Sequence, residues 1–166
     1  MRYFWPISVV MIFAVPGCKI YSFSGATIPP EVKTIQIDLF QNRAGNGPAL
    51  LSQIFTDRLK NKFITESRLK QTQSNGDLHI KGYISGFQYS NQAPTAAVSS
   101  GINRLTITVY VEFINNKDPK DQWQQSISMF AEAPATENIF SVESRLIDEI
   151  IRQLVDEIFV KALVKW

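Results

Sequence analysis

The stretch from Asn103 to Asn115 constrains the fold more tightly than any other part of this chain. Leu105, Ile107, Val109, Val111 and Phe113 take every second position, and Arg104, Thr106, Thr108, Tyr110 and Glu112 lie between them. Side chains alternate across a strand with a period of two. The pattern therefore places five apolar groups on one face and a polar set on the other. β-branched residues dominate it, as suits a central strand. Such a strand needs a covering layer on one side.

Two amphipathic helices supply that layer. Pro48 to about Ser67 repeats Leu51, Phe55, Leu59 and Phe63 every four residues, with Leu50 and Ile54 beside them and Asp57, Arg58, Lys60 and Lys62 mostly on the other side. This is the stripe of a helix laid on a sheet. Pro48 suits the helix start. Ser141 to about Leu163 carries two adjacent apolar rows: Leu146, Ile150, Leu154, Ile158 and Ala162, then Ile147, Ile151, Val155, Phe159 and Leu163. Asp148, Glu149, Arg152, Asp156 and Glu157 cover the rest. The wide stripe predicts that this helix is the main cover of the sheet, with Ser141 as its N-cap and Glu143 in its first turn.

Three further strands follow from alternation. Val32 to Phe40 places Ile35, Ile37 and Leu39 opposite Thr34, Gln36 and Asp38. Asp77 to about Ser90 sends Leu78, Ile80 and Ile84 one way and His79, Lys81, Tyr83 and Ser85 the other, with Gly82 and Gly86 permitting a bend or bulge. Gln122 to about Glu132 groups Trp123, Ile127, Met129 and Ala131 against Gln124, Ser126, Ser128 and Phe130. Gln41 to Gly47, Gln71 to Gly76, Asn91 to Gly101 and Asn115 to Asp121 read as links and turns. The order is strand, helix, three strands, helix. It predicts an α+β, two-layer sandwich: a four-stranded, mainly antiparallel sheet with both helices on one face and the first strand joined through the helical crossover.

Before this body lies a different kind of sequence. Arg2 precedes an almost unbroken apolar run from Tyr3 to Val15, ending in Val15-Pro16-Gly17-Cys18. The run has the length of a signal-peptide core and is too short to span a bilayer. Its end resembles a bacterial lipoprotein signal. That resemblance implies cleavage before Cys18, acylation of its sulfur and amino group, and anchoring in a membrane. The alternative is an ordinary secretory signal followed by chance by a cysteine. Cys18 is the one cysteine among 166 residues, so no internal disulfide is available. The expected division is residues 1–17 as signal peptide, 18–31 as a lipidated tether and 32–166 as a single domain. In the tether, Tyr21, Phe23 and Ile28 are apolar enough to dock on the body.

The chemistry offered is that of a binding protein. The net charge is +2, with 17 basic and 15 acidic residues, too mild for a nucleic-acid partner. His79 is the only histidine and has no cysteine or histidine to share a metal with. It reads as a solvated or edge residue. No cofactor, metal or enzymatic activity is expected, since no nucleophile–base pairing and no glycine-rich phosphate loop is present. The informative surface is the sheet face away from the helices, which collects Lys81, Tyr83, Arg104, Thr106, Thr108, Tyr110, Gln124, Ser126 and Ser128. It is polar, weakly charged and punctuated by aromatics. It suits a wet docking surface, although a bare solvent face accounts for it too.

Segments across nearly the whole chain resemble one family. They are Cys18 with Tyr21-Ser22-Phe23-Ser24-Gly25-Ala26 and Ile28-Pro29-Pro30, Lys33-Thr34, Leu51-Ser52-Gln53 with Phe55-Thr56, Asn103 through Val109, Asn116-Lys117-Asp118-Pro119, and Ile150-Ile151 with Leu154-Val155 through to Trp166. Together they are similar to the lipopolysaccharide-assembly lipoprotein family LptE. The resemblance implies a two-helix, four-stranded sandwich held at the inner leaflet of the outer membrane through Cys18. It implies a plug inside the β-barrel LptD, a role in that barrel's assembly, and delivery of lipopolysaccharide toward the cell surface. Lys19 after the cysteine is compatible with outer-membrane sorting. Lys81, Arg104, Lys117 and Lys120 are candidate contacts for lipopolysaccharide phosphates, because cations near strand ends can meet them. The alternatives are an envelope lipoprotein of similar fold that binds peptidoglycan or another secretion channel, and a lipid carrier with a pocket between sheet and helices.

Overall fold

The computed structural model describes residues 28–92 and 101–164. Cys18, the segment before it, Tyr21 and Phe23 lie outside the described residues, as does most of the Asn91 to Gly101 link. The elements run β1 (Thr34–Ile37), β2 (Gln41–Asn42), α1 (Leu51–Glu66), β3 (Lys70–Thr72), β4 (Leu78–Gln92), β5 (Ile102–Asn115), β6 (Gln122–Pro134) and α2 (Ile139–Leu163).

The fold is α+β with two helices, and the sheet is larger than the expected four strands. It has six strands in the order β3-β1-β4-β5-β6, with β2 also pairing β4. It is mixed: β4, β5 and β6 form the expected antiparallel meander, whereas β1 pairs β3 and β4 in parallel and β2 pairs β4 in parallel. The two additional strands fall in segments that read as a turn and a polar link. Strands of two and three residues are too short to show alternation, so neighbouring backbone alone recruits them.

The first strand also departs from simple alternation. Ile37 is opposite Ile80, but Gln41 is opposite Tyr83. Three residues, Asp38 to Phe40, therefore span two on β4, which is a one-residue bulge. Because the side-chain period is two, one extra residue reverses the faces. Leu39, expected inside, is 58% exposed, and Phe40 is fully buried in its place. Phe40 lies over Gly82, where a Cβ would come within 2.7 Å of its ring and 2.0 Å of the Tyr110 carbonyl oxygen. Two α1 side chains one turn apart satisfy the displaced backbone. Thr56 Oγ1 accepts from Phe40 N at 3.0 Å, and Ser52 Oγ donates to Phe40 O at 2.6 Å.

A second register shift lies between Ile84 and Gly86 on β4, at the bend that Gly86 predicts. It keeps Ile84 and Phe87 both on the buried side.

The helices cover one face. Leu51, Phe55, Leu59 and Phe63 of α1, both expected rows of α2 and the five inward side chains of β5 share one buried core, the five of β5 at 1% exposure or less. Phe63 meets Phe159 edge-on at 5.1 Å, joining the two helices. Lys62 bonds Asp156 at 2.7 Å and Arg58 pairs with Asp148 across the same seam. Helix α2 begins three residues earlier than its pattern implies: Asn138, not Ser141, is the N-cap, its side chain accepting from Phe140 N at 3.0 Å. Helix α1 begins at Leu51 rather than Pro48, after a turn closed by Leu51 N on the Pro48 carbonyl. Leu50 and Ile54 remain exposed beside its buried row.

Candidate docking face

The sheet face opposite the helices is left uncovered by the described residues, and its side chains form rows across the strands. Tyr83 of β4 stands beside Tyr110 of β5, their rings stacked at 5.2 Å. Tyr110 Oη donates to Gln124 Oε1 at 2.9 Å, extending the row to β6. Arg43, just after β2, extends it the other way, with its guanidinium 4.4 Å from the Tyr83 ring centre. The next row joins Thr108 and Ser128 through their hydroxyls at 2.8 Å. Fixed aromatics and mutually bonded polar groups make a surface with little side-chain entropy left to lose on contact.

Beside the tyrosines is a shallow depression of about 340 Å³ bordered by Asp38, Leu39, Arg43, Lys81 and Glu112. The bulge builds it by turning Leu39 outward. His79 Nε2 meets Asp38 Oδ2 at 2.9 Å, so the single histidine is tied to a carboxylate at this border. Burial raises the Asp38 pKa, but hydrogen bonds from Gln36 and His79 and the neighbouring positive charges outweigh it and hold the carboxyl below its usual range. Arg43 and Leu39 escape an alternation reading, Arg43 because it follows a two-residue strand and Leu39 because of the extra residue before it.

The four candidate phosphate contacts do not converge. Lys81 pairs with Glu112 at 3.1 Å. Arg104 binds Glu132 through Nε at 2.8 Å and stacks 4.2 Å over the half-exposed Phe130 ring. Lys117 reaches Asp77 at 3.1 Å. Lys120 lies exposed in the turn between β5 and β6, its backbone N–H bonded to Asp118. Arg104 and Glu112 are eight residues apart on β5, about 27 Å at strand rise. Lys117 and Lys120 share one end of the sheet, and Arg104 stands near the other.

Asp77 ties that first end together. Its Oδ2 accepts from Lys33 N, Thr34 N and Thr34 Oγ1 at 2.9 to 3.0 Å, and its carbonyl accepts from Asn116 N at 2.8 Å. Hydrogen bonding from the Lys33 backbone, with Lys117 and Thr34 adding to it, holds this carboxyl well below the usual carboxylate range. At the other end, burial and the Glu143 carboxylate that accepts its proton push the Tyr89 hydroxyl above the usual tyrosine range.

Among the described residues, no group of three or more His, Cys, Asp or Glu side chains is placed to hold a metal ion, and no helix is long and apolar enough to cross a membrane. The family model of lipopolysaccharide assembly, LptE, matches residues 32–162. This chain belongs to the LptE family. The match takes in the whole sheet and nearly all of both helices, so the residues of the uncovered face lie within the matched region.

Solved structures agree on the fold. A protein of Xanthomonas campestris superposes with a TM-score of 0.55 at 8% identity, over 80% of this chain and 85% of that one. A hypothetical protein from Chlamydia trachomatis gives 0.54 at 7% identity, over 81% and 99%. An uncharacterized lipoprotein B from Nitrosomonas europaea gives 0.50 at 13% identity, over 76% and 79%. At such identities the likeness is one of fold alone. No curated protein matches the chain by sequence.

Proposed function

We propose that this LptE-family chain is an outer-membrane lipoprotein, acylated at Cys18, that acts as plug and assembly partner of an LptD-type β-barrel in lipopolysaccharide transport. The observation that carries this reading is the family match over residues 32–162. The uncovered sheet face supports it. Its hydroxyl, amide and tyrosine side chains can lie against the wet inner wall of a barrel without leaving unpaired charges buried. The protein acts by binding rather than by catalysis.

Within this reading Lys81, Arg104, Lys117 and Lys120 are candidate contacts for lipopolysaccharide phosphates. Three of them hold carboxylates, so a phosphate there competes with Glu112, Glu132 or Asp77. Lys120 faces the least competition. Charge reversal at Lys120 is expected to weaken lipopolysaccharide binding most, and unchanged binding after reversal at all four sinks the assignment.

The deciding experiment is purification of the tagged chain from native membranes in mild detergent, with mass spectrometry of what accompanies it. One large outer-membrane β-barrel in near-equal amount is expected. Recovery of the chain alone, or on cell-wall sacculi, overturns the plug and favours a peptidoglycan-binding lipoprotein of the same fold.

A further inference from the structure

At the end of the molecule where the described chain begins, a cleft of about 760 Å³ opens between the last turn of α1 and the strands β1 and β3. Ile28, Val32 and Leu69 give it an apolar wall, while Lys33, Arg68 and Lys70 line it as cations. Backbone pairing brings these cations together: Lys70 N donates to the Lys33 carbonyl at 2.9 Å, and Lys70 is opposite Thr34 in the parallel ladder. None of the three has a carboxylate within ion-pair distance among the described residues. The acid at the rim, Glu66, is held by Lys62 at 2.7 Å. Three like charges beside an apolar wall outnumber the one carboxylate of the lining, which Lys62 already pairs, and they suit an amphiphilic anion.

Position identifies the anion. Ile28 forms part of the cleft wall and lies ten residues after Cys18, a span of at most about 35 Å when fully extended. Given the lipid-anchor reading of Cys18, on which this inference rests, the cleft end of the body is the end tethered to the bilayer. We propose that the cleft seats the headgroup phosphate of an anionic phospholipid from the leaflet that holds the anchor. The cations meet the phosphate and the apolar wall meets the glycerol and first methylenes. The headgroup then fixes how the body stands on the membrane, with the cleft down and the sheet face turned sideways.

The test uses the full, acylated chain in vesicles of phosphatidylcholine alone or with added phosphatidylglycerol. Mass spectrometry of the N-terminal peptide reports acylation, and a short pulse of an amine-acetylating reagent reports access to Lys33 and Lys70, with Lys60 on α1 as the internal control. Phosphatidylglycerol is expected to slow acetylation of Lys33 and Lys70 about fivefold or more, the scale of one surface cation's attraction to anionic lipid, and to leave Lys60 unchanged. Arg68→Ala is expected to abolish most of that protection. Equal rates in both vesicles overturn the proposal. So does equal protection by inorganic phosphate over phosphatidylcholine, which marks a free-phosphate site. Protection by lipopolysaccharide but not phosphatidylglycerol also overturns it, and assigns the cleft to cargo. An N-terminal peptide without acyl chains overturns the anchor reading and this proposal with it, whereas acylation without protection overturns this proposal alone.

Discussion

Thr56 and Asp77 show how single side chains hold this fold in register. Thr56 is 1% exposed, and its hydroxyl both accepts from Phe40 N and donates to the Ser52 carbonyl one turn back. Thr56→Val keeps the shape and removes the hydroxyl, leaving a buried N–H without a partner. The expected loss is about 1–3 kcal/mol of unfolding free energy, read by denaturant titration. Asp77 adds a pH signature. Its folded-state pKa lies below the ordinary 3.8, chiefly through the Lys33 backbone N–H. Its stabilisation is therefore complete above the unfolded value. It is lost as pH falls below about 4, where the unfolded chain takes up the proton first. Asp77→Asn is expected to lower stability at neutral pH and to flatten the fall between about pH 4 and pH 2. Parallel slopes for both proteins would show that other carboxylates set the acid limit.

At the scale of elements, the bulge between β1 and β2 is the most testable feature. Alternation through Ile35 and Ile37 places Leu39 in the core, and the structure places Phe40 there. The two arrangements differ in energetics. Phe40→Ala is expected to cost about 3–5 kcal/mol, as a large buried ring does. Leu39→Ser is expected to stay within about 0.5 kcal/mol. The reverse ranking in thermal or urea unfolding would restore the unbroken strand. The segments Leu51-Ser52-Gln53 and Phe55-Thr56, which carry part of the family resemblance, acquire a reason here. Leu51 and Phe55 are core, while Ser52 and Thr56 bind the Phe40 backbone.

At the scale of the whole molecule, both helices occupy one side, and among the described residues nothing covers the other side of the six-stranded sheet. The stacked Tyr83 and Tyr110 stand near the middle of that side and contribute little to the core. Tyr83→Ser with Tyr110→Ser is expected to cost about 1 kcal/mol or less of stability, the scale of a cross-strand pair. It is also expected to abolish co-purification of the barrel. Full barrel recovery with this double variant would move the docking surface to another face.

Much of this was legible in the chain because burial on one side leaves a periodic trace. Leu105 to Phe113 and the two rows of α2 are long enough for the period to declare itself, and every one of those side chains is buried. The polar face followed from the same alternation, which put Tyr83 and Tyr110 on it; that their rings stack came from the register of β4 on β5. Periodicity reports which side of an element meets the core; it carries nothing about which backbone lies alongside. The short strands β2 and β3, the reversal at Leu39, the place of Arg43 over Tyr83 and the gathering of Lys33, Arg68 and Lys70 around one cleft were decided only in three dimensions. Each depends on hydrogen bonds or charges between residues far apart in the chain.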